Sequence, residues 1–239
     1  MTNIPAPRRT SRLPAVAGLI TIAMFLAEIA TWGNPQYTGP VGRLRDLFAV
    51  HHVQASASLT LAAFSVIPLL AFTAGLTTIT RRDGGNDTWS IVLTAATAVF
   101  AAAQITFAAL SGALVAAAPS ATSHELMLLL GPLTYLDGAR FMPFAVMTGA
   151  AALLVLQAAQ FGRWIGLVGL ASAACTFIGQ LSLLDLTGHS PVSNLGNAGQ
   201  LGFLLFIVWT IAIAISLLKN TAPIPAAAPQ AAAIPSRTR

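Results

Sequence analysis

The chain has 239 residues, 56% of them hydrophobic and only 8% charged, with a mean hydropathy of +0.76. Soluble domains carry about 25% charged residues, so this composition excludes an ordinary water-soluble fold. It points to an all-α, polytopic transmembrane helical bundle. The net charge of +5 comes mostly from short basic loops between apolar runs, which is an orientation signal. That excludes a nucleic-acid partner and makes the lipid bilayer the expected one.

Residues 1–12 form a basic stretch ending in Arg8, Arg9 and Arg12, before the apolar run from Leu13 to Ala30. No small-x-small cleavage pattern follows, because Glu28 and Trp32 occupy that region. An uncleaved first span over about 14–32 is therefore expected. The loop WGNPQYTGP follows by its Asn-Pro and Gly-Pro pairs, and residues 41–52 read as an amphipathic lead-in. The second span, about 55–78, contains Pro68, which kinks rather than ends a helix in a membrane. Arg81-Arg82-Asp83-Gly84-Gly85 is a charged turn, with Asp87 as the expected cap of the third span, about 89–117.

Thr122 and Glu125 have capping-box spacing. The short helix they open is expected to stop at Gly131-Pro132, so a segment near 123–130 reads as interfacial or re-entrant rather than as a crossing. The fourth span is about 139–158, with Pro143 in its first turn, and the fifth about 163–184. The fifth carries Gly162-x-x-x-Gly166 and Gly169-x-x-x-Ala173, spacings that let helix backbones approach closely. The sixth is about 198–218. The domain expectation is a cytoplasmic N-terminus over 1–12, a six-helix domain over 13–219 and a Pro/Ala-rich disordered tail over 220–239.

Six spans put both termini on one side. That side would hold Arg8, Arg9, Arg12, Arg81, Arg82, Arg163, Lys219, Arg237 and Arg239, against Arg43, Arg45 and Arg140 on the other. By the positive-inside rule both termini are cytoplasmic. All four histidines, His51, His52, His124 and His189, then fall on the outer side together with Asp46, Glu125, Asp137 and Asp185, and Glu28 lies near the outer end of span one. Two explanations stand side by side: acids and histidines populate loops from which Lys and Arg are excluded, or a polar pocket opens outward.

The densest polar stretch runs from Gly179 to Gln200, GQLSLLDLTGHSPVSNLGNAGQ. Asn197 and Gln200 are three apart and share a helix face; Gln180 adds an amide near the end of span five. Gln180, His189, Asn197, Gln200 and His51 are the expected ligand-binding residues. Glu28 and Asp185 are the expected acids of any catalytic chemistry, since ionisable groups inside spans usually face the bundle interior. Gln104 reads as helix glue, and Asp137 and Arg140, three apart, should pair with each other. No H-x-x-x-H, H-E-x-x-H or C-x-x-C spacing occurs, no phosphate-binding glycine loop and no G-x-S-x-G elbow. No metal and no cofactor are expected, and Cys175 is a lone packing residue.

The stretch Arg8-Arg9-Thr10-Ser11-Arg12-Leu13 directly before span one, with the span pattern across about 8–219, resembles an uncharacterised class of bacterial six-span integral membrane proteins of unknown function. The resemblance implies a six-helix fold in a bacterial plasma membrane and carries no activity with it. From the residues themselves, the expected role is to bind or move a small lipophilic or cationic molecule through a polar pocket near the outer leaflet. The alternatives are a membrane-embedded enzyme using carboxylic acids on a lipid-soluble substrate, such as a terpene-cyclase-like enzyme or an isomerase, and a structural membrane subunit.

Overall fold

The structure, a computed structural model, describes residues 12–32, 41–181 and 195–219. These residues form eight helical segments and no strand: α1 (Leu13–Trp32), α2 (Val41–Phe64), α3 (Val66–Arg82), α4 (Asp87–Ala117), α5 (Ser123–Ala139), α6 (Phe141–Gln157), α7 (Arg163–Gln180) and α8 (Gly196–Lys219).

Two of the breaks between these helices have one cause. A proline lacks the N–H that would bond the carbonyl four residues back, and its ring crowds that carbonyl. Pro68 lies just after the break at Ser65, and Pro143 just after the break at Arg140. Span two is therefore composite: α2 ends at Phe64, the Ser65 hydroxyl donates to the Ala62 carbonyl at 2.7 Å, and α3 resumes at Val66. A further kink at His51 (φ −114°, ψ 24°) bends α2 near its middle.

The start of α4 corrects the expected cap. Asn86, not Asp87, takes the position before the helix, its side-chain oxygen accepting from the Thr88 N–H at 2.7 Å. Asp87 is the first helical residue and pairs with Arg81 at 2.8 Å. The start of α5 is as the spacing suggests: the Glu125 N–H donates to the Thr122 hydroxyl, and the Thr122 N–H donates to the Glu125 carboxylate at 2.7 Å.

The end of α5 is not. The short segment expected near 123–130 is a 17-residue helix that runs through Gly131 and Pro132 to Ala139, with only Arg140 between it and α6. Leu126, Leu130 and Leu133 recur at i, i+4 and i+7 on one face, and all three bury against Phe48, Phe107 and Leu114. That stripe crosses the proline, so its burial outweighs the single hydrogen bond Pro132 removes.

Six helices pack as a closed ring in the order α1, α3, α4, α6, α7, α8, with α8 returning to α1. The interior is aromatic and aliphatic, with Phe72, Phe144, Phe206 and Trp209 at its centre. Small residues set the α7 contacts. A Cβ at Gly169 would stand 2.7 Å from the Ala152 Cβ, and one at Gly202 would stand 2.9 Å from the Ser172 carbonyl oxygen. The Ser172 hydroxyl donates to the Gly202 carbonyl at 2.7 Å, tying α7 to α8. At one end of the ring the Asn86 N–H donates to the Gln157 side chain at 3.0 Å, joining the α3–α4 turn to α6. Beyond the opposite end α2, the last part of α4 and α5 continue around a second apolar cluster containing Phe48, Leu114 and Leu126. There the Arg45 guanidinium donates to the Pro119 carbonyl at 2.8 Å.

Among the described residues, five stretches are long and apolar enough to cross a membrane: Leu13–Thr31, Val50–Arg82, Asp87–Ala117, His124–Gln157 and Gly196–Lys219. Leu19, Ile67, Val99, Leu204 and Val208 point outward from them, exposed and apolar, a surface suited to acyl chains. The sixth ring helix, α7, is shorter, with Arg163 and Gln180 as its terminal residues.

Candidate functional site

The Pro143 break places Arg140 inside the bundle, where its residue is 5% exposed. A guanidinium cannot be left unpaired in such a place, and this one is fully dressed. It faces the Asp137 carboxylate at 2.6 Å, donates through Nη1 to Gln104 Oε1 at 2.6 Å and through Nε to the Asp137 carbonyl at 3.3 Å. Its plane lies over the Phe107 ring, 4.0 Å from the centroid, and 5.0 Å from that of Phe141. Cation–π contacts of this kind add about 0.5–2 kcal/mol each when desolvated.

Arg140 and Gln104 form one wall of a cavity of about 550 Å³. A second wall belongs to α1, where Phe25 and Glu28 are three apart and share a helix face, with Glu28 in electrostatic reach of Arg140. The Ser58 hydroxyl donates to the Glu28 carbonyl at 3.2 Å, fixing this turn of α1 against α2. The Glu28 side chain is half-buried and makes no hydrogen bond or ion pair to any described residue. The remaining wall is the corner between α7 and α8: Thr176, Gly179 and Gln180 from α7; Gly196, Gly199, Gln200 and Phe203 from α8. Gly179 lies directly against the Gly199 backbone, so no side chain separates the two helices there. Thr176 is 2% exposed, and its hydroxyl finds no hydrogen-bond partner among the described residues.

Five ring helices reach this cavity from the end that carries Arg12, Arg82, Arg163 and Lys219. Leu13 to Glu28, Asp87 to Gln104, Gln157 to Phe141, Arg163 to Gln180 and Lys219 to Gln200 are each roughly 15–19 residues, about 25 Å at 1.5 Å per residue. The hydrocarbon core of a bilayer is about 30 Å thick. Were one face of a membrane at the basic end, the cavity would lie near its far boundary.

The expected site residues divide into three groups. Glu28, Gln180 and Gln200 line the cavity together. His51 and Asn197 are not among its lining residues: Asn197 is exposed on α8, and His51 sits at the α2 kink, about 10 Å along the helix from Ser58 at 1.5 Å per residue. Asp185 and His189 lie outside the described residues. Arg140, expected on the outer side at the start of span four, is a buried cation in the cavity wall, and its pairing with Asp137 is as expected. Gln104 does join helices, but by accepting from Arg140. An Asp-x-x-Arg inside a long apolar run is the sequence signal for this wall, since such charges are costly in a membrane and usually functional. Nothing in the sequence marks Thr176. Among the described residues no three His, Cys, Asp or Glu side chains gather into a group able to hold a metal ion. No known protein family, curated protein or solved structure matches the chain.

Proposed function

We propose that the chain crosses a bacterial plasma membrane six times, with both termini inside, and binds or moves a small lipophilic or cationic molecule through the Glu28–Arg140 cavity near the outer leaflet. The observation that carries this reading is the composition of the cavity wall. About 550 Å³ falls within the roughly 300–1,000 Å³ typical of small-molecule sites, which are mostly apolar with a few converging polar groups. Phe25, Ile29, Phe141, Phe203 and Leu204 provide the apolar surface here, and Glu28, Thr176, Gln180 and Gln200 the convergent polar groups.

The sixth crossing is assigned to α7, which packs in the ring between α6 and α8. Orientation follows from the basic end of the ring. In a Cys175→Ser background, Ser120→Cys should react with an impermeant thiol reagent added to intact cells, and Asp83→Cys only after permeabilisation. The reverse pattern would invert the topology.

An enzyme working with paired carboxylic acids has less support. Asp137, the other described acid beside this cavity, is committed to Arg140, which leaves Glu28 alone among the described acids there; Asp185, its expected partner, lies outside the described residues. Organic extraction of the purified protein, followed by mass spectrometry, tests the binding reading: a small molecule retained in near-stoichiometric amount is expected, and only bulk lipid in the extract would count against it.

A further inference from the structure

The polar groups around the cavity are unequal in what they still lack. Arg140 is the one base among the described lining residues, and its charge is already met by Asp137, Gln104 and two phenyl rings. An anionic ligand would have to compete with the Asp137 carboxylate at 2.6 Å for that guanidinium. Glu28, the one acid among the same lining residues, is in the opposite position: half-buried, facing the cavity and in no hydrogen bond or ion pair with a described residue, its charged neighbour Arg140 being already paired with Asp137. What Glu28 lacks among the described residues is a cation or strong hydrogen-bond donor in direct contact with its carboxylate.

The surroundings of Glu28 suit a bulky, weakly hydrated cation more than a small metal ion. Phe25 is on its own helix face, and the Phe25 ring lies 5.8 Å from that of Phe203 across the gap between α1 and α8. Ring faces attract ammonium and related cations, most strongly where water is excluded. The cavity also reaches the outside of the bundle. Ile29 on α1 and Leu204 on α8 line it while being 49% and 59% exposed, and α1 and α8 are neighbours in the ring. An apolar substituent can therefore leave the cavity between those helices toward acyl chains.

We propose that this cavity takes a lipophilic cation, with its charged centre at Glu28 beside Phe25 and Phe203 and its apolar part extending between α1 and α8 past Ile29 and Leu204. The assignment rests on the reading of the cavity as a small-molecule site and names the class of molecule. Gln180, Gln200 and the Thr176 hydroxyl offer oxygen acceptors on the α7–α8 wall for any N–H the cation carries.

The test uses the purified full-length protein in nanodiscs of zwitterionic lipid, with two probes of the same shape and opposite charge, tetraphenylphosphonium and tetraphenylborate, and neutral triphenylmethanol as a third. Saturable binding of the cation is expected. Glu28→Gln should weaken it by roughly tenfold to a hundredfold, the scale of one charged contact, while Glu28→Asp retains the preference for the cation. Gly199→Phe, at a cavity-lining position where a Cβ makes an ordinary contact, is expected to fill the cavity and remove binding altogether. If all three probes bind alike and Glu28→Gln and Glu28→Asp leave them unchanged, while Gly199→Phe abolishes them, the cation assignment is overturned and the small-molecule reading stands. Saturable binding of none of the three, or binding indifferent to Gly199→Phe, overturns both. Should Glu28→Gln fail to fold, the ratio of cation to borate affinity in the wild type and Glu28→Asp decides the matter: a ratio near one refutes the assignment.

Discussion

Asp137→Asn is expected to destabilise the folded bundle by about 3 kcal/mol, the lower end of the cost of stranding one member of a buried ion pair. The lower end applies because the Asp137 side chain is 22% exposed, whereas that of Arg140 is 6% exposed. The substitution keeps the shape and removes the charge, leaving the guanidinium with Gln104 and two phenyl rings. A second substitution separates charge from packing. Well-packed apolar replacements of a whole buried pair are often neutral or stabilising, so Asp137→Leu/Arg140→Met should recover much of the loss. Unfolding titrations in detergent micelles, followed by circular dichroism, measure both. A neutral Asp137→Asn would mean that water reaches Arg140, and the cavity wall described above would be wrong.

Gly202→Leu is expected to cost at least the upper end of the about 1–3 kcal/mol usual for overpacking. The reason lies in what the new side chain meets. At Gly202 the nearest obstacle is the Thr176 hydroxyl, but close behind it stand backbone atoms of α7, the Thr176 nitrogen at 2.5 Å and the Ser172 oxygen at 2.9 Å from the added Cβ, and a helix backbone cannot step aside. At Gly166 the closest obstacle is the Leu156 side chain, which can change rotamer, so Gly166→Leu should cost less. The ordering of thermal midpoints in detergent, wild type above Gly166→Leu above Gly202→Leu, is the observable. Equal midpoints for the two variants would show that α7 and α8 are not in backbone contact at the cavity floor.

Local features were the readable part of the sequence. The capping box at Thr122 and Glu125, the kinking role of Pro68, the Asp137–Arg140 pair and the close approach at Gly166 and Gly169 all depend on residues within a few positions of each other or on one helix face, and each is present in the structure. What failed locally failed through tertiary contacts. Pro132 does not end α5, because the leucine stripe on both sides of it is buried by α2 and α4. Asn86 displaces Asp87 as cap because either residue can fill the position; Asp87 instead pairs with Arg81.

The cavity was legible only in part, for a related reason. Glu28, Gln180 and Gln200 stand out as polar residues near span ends, and all three meet at one wall or another. Their meeting with Gln104 and Arg140 is a matter of depth along different helices, which no spacing within one helix encodes. The sequence places Arg140 on the outer side, at the start of a span beginning near 139. Once α5 runs on to Ala139, the same arginine is carried into the bundle. Asn197 shares a nominal face with Gln200 but is exposed and does not line the cavity, although Gly196 and Gly199 on either side of it do.

The claim that the Glu28–Arg140 cavity holds a small molecule is tested most directly by filling it. Among the described residues a Cβ at Gly199 meets the Gly179 Cα at 3.6 Å, an ordinary contact, and Gly199 lines the cavity, so Gly199→Phe is expected to fold with its ring in the space a ligand would use. Wild type and Gly199→Phe, purified in parallel and extracted for mass spectrometry, should differ: a retained small molecule in the first, none in the second, at closely similar thermal midpoints. The same molecule retained equally by both proteins, or by neither, would contradict the account.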